Sequence, residues 1–249
     1  MSDLLGLSPT EVYWLLAITF AAGLVRGFSG FALSALVMAS AVLILPPVEL
    51  IPMLWWLEMS ASLLMLKGGI KDADRQTAYG LVIGSACGWP VGLYLTTSLP
   101  VATSKTLALV IIVSLAVTQL AKIRLSFLAT KPGLYGAGFV AGIASGLAHV
   151  GGMVVALYVL ASDAPARSMR GSLVLFLFLG SITSMLTLLA FGVMDFSGVK
   201  RGLIFAIPTM FGVFVGQQLF TERLAPYYRP FCLTLLLGLA STSLIRSLT

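Results

Sequence analysis

Charged residues are scarce in this chain of 249 residues, because Lys, Arg, Asp and Glu make up only 10% of it. Soluble domains typically carry about a quarter charged residues, so this chain has too few to cover a surface that faces water. Hydrophobic residues make up 59% of the chain, and its mean hydropathy is +1.03. The shortage of charge excludes an ordinary soluble domain and predicts an integral membrane protein.

Histidine and cysteine are also scarce, with one His and two Cys in the chain. His149, Cys87 and Cys232 do not have the spacing of metal ligands, and we expect both cysteines to pack as free thiols in apolar runs. The chain also lacks a P-loop lysine and a G-x-S-x-G motif. We therefore expect no metal, no cofactor and no enzymatic activity, so that active transport would need an ion gradient or a partner.

The net charge of +6 is explained by membrane orientation. Cytoplasmic loops of membrane proteins are rich in Lys and Arg, and the loops at 67–76 and 121–132 are the basic ones in the first half of the chain. We predict that both face the cytoplasm. No basic block has interleaved aromatic residues, so we expect no nucleic-acid partner. The N-terminus lacks the basic region of a cleavable signal, so we expect no removed segment.

Apolar runs recur along the whole chain, and a helix that crosses a bilayer needs about 20 such residues. We therefore predict an all-α integral membrane protein with about eight transmembrane segments. The runs fall at 11–45, 49–66, 77–98, 104–121, 133–161, 169–191, 199–220 and 229–246.

Two motifs recur in the same order in the two halves of the chain. "AGLVRG" (22–27) is similar to "AGIASG" (141–146), and "GWPVG" (88–92) is similar to "GVFVG" (212–216). This order predicts an internal duplication. Transporters are frequently built from such repeats, with their sites at the repeat interface, although channels and some membrane enzymes are duplicated too.

The duplication divides the chain into two membrane repeats of four segments each. We place the first repeat at 1–121, a cytoplasmic linker at 122–132 and the second repeat at 133–249. Within the first repeat, glycines at a spacing of four lie along one helix face, where backbones can approach closely, so we predict helix packing there. These glycines are Gly80, Gly84, Gly88 and Gly92.

The first apolar run, 11–45, has glycines near its middle. A continuous helix of its length would extend about 52 Å, which exceeds the ~30 Å hydrocarbon core but is short for two crossings. We predict that the helix stops around Gly27–Gly30 and restarts, as two half-helices or as a re-entrant hairpin. "GLAHVGG" (146–152) interrupts the run 133–161 in the same way. Each repeat would thus open with a broken or re-entrant helix.

Three ionisable residues lie deep in apolar runs, where a charge costs at least about 2.5–3.5 kcal/mol and usually marks a site or pathway. Arg26 and Glu58 could form an ion pair that holds two helices together. Alternatively, Arg26 attracts an anionic substrate while Glu58 orients it or exchanges a proton. His149 could be a neutral core residue, or it could donate to an anion or carry a proton.

The helix that restarts after each break supplies a second kind of anion-binding group, its N-terminus. The N-terminus of a helix presents free N–H groups and the positive end of its dipole. Glycines next to it allow a ligand to approach the backbone. We therefore predict a cradle for a small oxyanion, formed by Arg26, Ser29, Gly30, His149, Gly151 and Gly152.

The same motifs resemble the TauE/SafE family of bacterial sulfite-exporter-type permeases. The resemblance lies in "RGFSGFALSAL" (26–36), in "GLAHVGGMVVALYVL" (146–160) and in "SMRGSLVLFLF" (168–178). It implies a multi-pass carrier in the bacterial inner (plasma) membrane for sulfite, sulfonates such as sulfoacetate, or small carboxylates, driven by the proton motive force. The implied substrate region is Arg26, Gly27, Ser29, Gly30, Gly151 and Gly152, with Arg170 as an addition.

The chain departs from the family pattern within this region. Ala32 and His149 stand where the family commonly has glycine, Met153 stands at a frequent proline position, and Ala39 and Ser40 replace a usual proline. These departures bear on the selectivity of the predicted site.

We interpret the chain as a secondary transporter of small anions, most consistent with sulfite or organosulfonates, that works by alternating access. A passive anion channel or facilitator and a carrier of small carboxylates remain alternatives. The lipid bilayer and the anion are the expected partners. The sequence leaves the direction of transport and the oligomeric state open, with a homodimer as one alternative.

Overall fold

A computed structural model describes residues 5–122, 130–161, 166–219 and 225–248. These residues form helices and no strand. The helices are α1 (Pro9–Ser29), α2 (Leu33–Ala41), α3 (Pro47–Asp72), α4 (Arg75–Ser98), α5 (Val101–Leu120), α6 (Lys131–Ala148), α7 (Gly151–Ala161), α8 (Ala166–Ala190), α9 (Phe196–Leu219) and α10 (Ala225–Leu248).

Seven of these helices, α1, α3, α4, α5, α8, α9 and α10, are long and apolar enough to cross a membrane, while α6 contributes a shorter apolar stretch. Large apolar side chains also cover the outside of the bundle, where Leu186, Ile207 and Phe211 are 69%, 71% and 62% exposed. Such a surface suits lipid rather than water. The prediction of an all-α multi-pass membrane protein is confirmed, whereas the eight crossings are not.

Polar residues define where several helices begin. Ser8 caps α1 in a capping box: its hydroxyl accepts from Glu11 N at 3.3 Å, and its own N–H donates to Glu11 Oε2 at 2.8 Å. Asp74 caps α4 by accepting from Thr77 N at 3.2 Å, and Thr130 caps α6 by accepting from Gly133 N at 3.1 Å. These caps satisfy backbone N–H groups that no helical partner reaches.

Both predicted helix breaks are present. Helix α1 ends at Ser29 and α2 begins at Leu33, and α6 ends at Ala148 and α7 begins at Gly151. The chain reverses through left-handed residues at Gly30, Ala32 and His149, whose φ angles are +83°, +73° and +56°. Left-handed backbone cannot continue a right-handed helix, so each break is fixed by local conformation.

The two pieces at each break are unequal in length. Helix α1 has 21 residues and extends about 32 Å, enough for a crossing on its own, whereas α2 has only nine residues and α7 only eleven. The first break follows Ser29, within the predicted stretch Gly27–Gly30, and Gly23 and Gly27 pack within α1.

Helix α2 returns toward the end of the bundle at which α1 starts. The buried Arg201, near the start of α9, donates from Nε to Leu5 O at 3.0 Å and from Nη1 to Glu49 Oε2 at 2.6 Å. Residues just before α1 and at the start of α3 thus lie at the same end, which we call the first end. We call α1 and α2 the first hairpin.

Helices α6 and α7 form a corresponding second hairpin. Gly80, Gly88 and Gly92 of α4 lie against Leu134, Phe139 and Ile143 of α6 in that order, so α4 and α6 run parallel. Near the end of α7, the Tyr158 hydroxyl lies within hydrogen-bonding reach of Thr77, at the start of α4. The second hairpin therefore enters from the end where α4 starts, opposite to the first end.

Glycines bring the backbones of two helix pairs into direct contact, as predicted from their spacing. A Cβ on Gly88 would lie 2.1 Å from Phe139 O, and one on Gly216 would lie 2.1 Å from Leu24 O. The first contact joins α4 to α6, and the second joins α9 to α1. The predicted packing role of the glycine stripe in α4 is confirmed.

The two recurring motifs are the contact surfaces of these helix pairs. Residues 22–27 of α1 pack on 212–216 of α9, and 88–92 of α4 pack on 141–146 of α6. Each half of the chain thus packs its first helix against the fourth helix of the other half. Most of the predicted linker lies outside the described residues, since 123–129 are not among them.

Candidate functional site

The tips of the two hairpins meet inside the bundle. Ser34, in the first turn of α2, lies with its Oγ 3.2 Å from Nδ1 of His149, at the second break. Glu58 of α3 and Arg26 of α1 complete a connected group. We call Arg26, Ser34, Glu58 and His149 the buried polar cluster.

Arg26 is fully buried and paired. Its Nε lies 3.3 Å from Glu58 Oε2, and both side chains are almost completely inaccessible, at 0% and 3% exposure. Nη2 donates to Ser62 Oγ at 3.1 Å, and Nη1 donates to Gly30 O. Arg26 and Glu58 thus form an ion pair in the structure, one of the two roles that the sequence left open for them. Because a buried charge is tolerated only when it is paired and hydrogen-bonded, these contacts explain how Arg26 lies at this depth.

Glu58 takes the place that the sequence suggested for an external anion. One carboxylate oxygen, Oε1, accepts from Ser34 N at 3.3 Å and from Ser34 Oγ at 2.7 Å. Ser34 N belongs to the first turn of α2, where the positive end of a helix dipole favours negative charge. In this conformation the anion held by Arg26 and by the N-terminus of α2 is a side chain of the protein itself.

His149 connects the second hairpin to this group. It is the left-handed residue that ends α6, and its ring meets Trp89 of α4 edge to face, with centroids 5.7 Å apart. Nδ1 faces Ser34 Oγ. Nε2 is buried and makes no hydrogen bond within the part of the chain that the structure describes.

A small cavity lies between the hairpin tips. It is lined by Ser34 and Glu58 on one side and by His149, Gly152 and Met153 on the other. Its volume is about 10 Å³, at the lower limit of what holds one water molecule (about 10–15 Å³). An oxyanion needs more space than this cavity provides.

Ser29 and the glycines of the first break contact backbone atoms and do not line the cavity. The Ser29 hydroxyl donates to Val25 O at 2.7 Å and lies 2.8 Å from Phe31 O, while it accepts from Phe31 N at 3.3 Å. It thereby stabilises the turn that ends α1. Gly27 packs against α9, where an added Cβ would lie 2.4 Å from Val213 O.

Arg170 of α8 holds the end of α1 from the other half of the chain. Its Nη2 donates to Gly27 O at 2.6 Å, and a Cβ on Gly30 would lie 2.8 Å from its Cγ. A cation at the C-terminus of a helix interacts favourably with the helix dipole. Arg170 therefore lies beside the first tip, although it does not line the cavity.

The two glycines of the second break differ in role, since one packs against backbone and the other lines the cavity. A Cβ on Gly151 would lie 2.1 Å from Ser145 Oγ and 2.5 Å from Ala141 O, so Gly151 allows α7 to fold back on α6. Gly152 lines the cavity, where an added Cβ would meet only Leu177, at 3.3 Å. Of the predicted region, Glu58, His149 and Gly152 line the cavity, and Arg26 lies directly behind Glu58.

Sequence reasoning missed three residues that hold this arrangement together. Ser34 lies within the motif of the first half, where the serine two positions after Ala32 was a visible signal. Ser62 and Trp89 come from α3 and α4 and contact Arg26 and His149. Their contacts join segments far apart in sequence, and no local pattern marks them.

The chain was compared with protein families, with curated proteins and with solved structures. The model of the family described as Sulfite exporter TauE/SafE matches residues 15–242, which include the buried polar cluster, both hairpin tips and Arg170. Neither the curated proteins nor the solved structures gave a significant match. Since the family match covers most of the chain, this protein belongs to the sulfite exporter TauE/SafE family of membrane transporters.

Proposed function

We propose that this protein is a secondary transporter that moves small anions, sulfite or organosulfonates such as sulfoacetate, across the bacterial inner membrane. It works by alternating access and is driven by the proton motive force. The observation that carries this proposal is the fully buried Arg26 at the meeting point of two hairpins that enter from opposite ends. Buried ionisable residues in membrane proteins usually mark substrate or ion pathways.

In this proposal, the bound substrate takes the place of the Glu58 carboxylate beside Arg26 and the N-terminus of α2. The carboxylate and an incoming oxyanion both seek Arg26 and the N-terminus of α2, so only one of them can bind there. Separation of the hairpin tips moves Glu58 away from Ser34 and opens the cavity to one side. Competition between an internal and an external anion supports a carrier, because the site returns to a closed and charge-balanced state when it is empty.

We also propose that the two halves are inverted repeats. Each repeat consists of one hairpin followed by three long helices, which gives eight membrane segments when each hairpin counts as one. The reciprocal packing of α1 on α9 and of α6 on α4 supports this arrangement, as does the entry of the two hairpins from opposite ends. Transporters with inverted repeats bind their substrates at the repeat interface, near the bilayer midplane.

Two alternatives use the same site. A passive anion channel would bind anions in the cradle without coupling, and a carboxylate carrier would differ only in selectivity. The cavity of about 10 Å³ favours a carrier over an open channel. We propose transport rather than catalysis, because the buried polar cluster offers an anion-binding arrangement and no activated nucleophile.

Flux into proteoliposomes tests the proposal. With an inside-alkaline or inside-acidic pH gradient, we expect sulfite or sulfoacetate to accumulate against its concentration gradient and a protonophore to abolish the accumulation. Arg26→Ala should remove the flux, whereas Arg201→Ala, which removes a buried arginine at the first end, is the matched control and should retain it. Downhill flux alone would favour the channel, and no flux of sulfite, sulfonates or small carboxylates would refute transport of these anions.

A further inference from the structure

We propose that His149 binds a proton on Nε2 together with the substrate, so that the site takes up one proton with each anion. This inference rests on the proposed function and assigns its coupling proton. The residue that carries the proton is the histidine at the second break, not Glu58.

The hydrogen bonds of Ser34 determine which nitrogen of His149 carries the hydrogen. Glu58 Oε1 lies 2.7 Å from Ser34 Oγ, and a carboxylate can only accept, so the single hydroxyl hydrogen of Ser34 points to Glu58. Ser34 Oγ can then only accept from His149 Nδ1, 3.2 Å away. A neutral imidazole has one N–H, which leaves Nε2 as a bare acceptor.

A bare Nε2 cannot bind an oxyanion, because the oxygens of an anion are acceptors as well. His149 lines the cavity with Ser34 and Glu58, and Nε2 is buried with no hydrogen bond among the described residues. A proton on Nε2 turns this acceptor into a charged donor, while Nδ1–H stays on Ser34. The anion and the proton therefore enter the site as a pair.

The charged groups near His149 lie on the side of the first hairpin. Glu58 of α3 is the ionisable side chain next to it through Ser34, and Arg26 of α1 neutralises Glu58. Arg170 of α8 lies beside the first tip. From α4 the ring meets the uncharged Trp89, and from α8 the cavity is lined by Leu177. A proton on Nε2 adds one positive charge beside the cavity, which favours an incoming anion.

Backbone conformation supports a functional role for this histidine. His149 has a φ of +56°, a region in which most non-glycine residues are strained. Strain of this kind concentrates at binding and switch sites. An imidazole is thus held at a position where glycine would relieve the backbone, and its ring reaches the opposite hairpin.

Calorimetry with the purified full-length protein measures the coupled proton directly. Methanesulfonate is a suitable probe, since it stays a monoanion, and its binding heat is measured at about pH 7.5, where ordinary imidazoles are mostly neutral, in buffers of different ionisation enthalpy. We expect uptake of close to one proton per anion in the wild type.

Two substitutions at His149 test the assignment. In His149→Asn, the asparagine tolerates left-handed backbone but cannot bind the proton. His149→Gly is the second variant, to be used if the asparagine variant does not fold. Both should bind methanesulfonate about tenfold more weakly or worse and without proton uptake. Uptake that persists in both variants, or that disappears in Glu58→Gln instead, would overturn the assignment of the proton to His149.

The possible outcomes distinguish a failure of this inference from a failure of the proposed function. If methanesulfonate binds the wild type without proton uptake, the inference fails and anion transport stands. If methanesulfonate, sulfite and sulfoacetate all give no binding to the folded protein, the proposed function fails as well.

Discussion

The buried ion pair yields a prediction about stability that a double-mutant cycle can test. Arg26 and Glu58 are 0% and 3% exposed, so water does not solvate either side chain when its partner is removed. Removing one partner of a buried ion pair costs about 3–5 kcal/mol, because the other charge is left uncompensated. We apply this to Arg26→Met, which leaves Glu58 unpaired, and to Glu58→Gln, which leaves Arg26 unpaired.

The double variant, Arg26→Met with Glu58→Gln, should be more stable than either single variant. The glutamine carbonyl still accepts from Ser34, and methionine fills most of the arginine's volume with no charge to compensate. A protein of this size loses about 2–4 °C in melting temperature per kcal/mol. Each single variant should therefore melt about 6–20 °C below the wild type, with the double variant recovering a clear part of that loss.

Thermal unfolding in detergent, followed by tryptophan fluorescence, measures these shifts. The control pair is Arg201 and Glu49 at the first end, which lie 2.6 Å apart, but Glu49 is 46% exposed. Water can solvate Glu49 when its partner is lost, so we expect Arg201→Met to cost less than Arg26→Met. Additive losses in the Arg26–Glu58 cycle, or single variants that melt as the wild type does, would refute the described pair.

Four further substitutions, one of them a control, test the backbone arrangement by the same melting assay. Gly88→Ala should prevent correct assembly or cost several °C, because its Cβ would lie 2.1 Å from a carbonyl of α6, whereas Gly136→Ala, with nothing within 4 Å, should be neutral or stabilising. Ala32→Gly should raise stability by up to about 1 kcal/mol, since Ala32 has a φ of +73°, and a drop would argue against that conformation. Ser29→Ala should lower stability by about 1 kcal/mol through the lost bonds at the first break, and an unchanged melting point would contradict them.

Ala32 and His149 adopt left-handed conformations that glycine reaches without strain. The resemblance drawn from the sequence marked both positions as departures from a glycine, and this backbone conformation is a physical reason for glycine at such positions. The two side chains differ in their contacts: Ala32 lines the cavity, whereas the His149 ring lines it and also contacts Ser34 and Trp89.

Membrane class and helix breaks could be predicted from the sequence because both depend on local properties. Composition indicates whether water or lipid surrounds a chain, and long apolar segments without charged residues indicate helices that cross lipid. Glycine and left-handed backbone stop a helix wherever they occur. Glycine spacing predicted the contact face of α4, since residues four apart share one side of a helix.

Only the tertiary structure decided how these elements meet. It gave the two helices of the first hairpin unequal lengths, and it returned α2 toward the first end. It also brought Ser34, Glu58 and His149 together from three helices. Such contacts join residues far apart in the chain, and apolar helices of similar length can pack in many ways that their composition does not distinguish.

Arg26 shows most directly what the sequence determines and what the tertiary structure determines. From the sequence, its depth in an apolar run required a partner or an anion, because a lone charge in lipid is too costly. Which of the two it has depends on whether Glu58 lies within reach, and this follows from the packing of α1 against α3 and the start of α2. The sequence determined that a charge must be compensated at this position, and the fold determined that a carboxylate of the protein compensates it in the closed state.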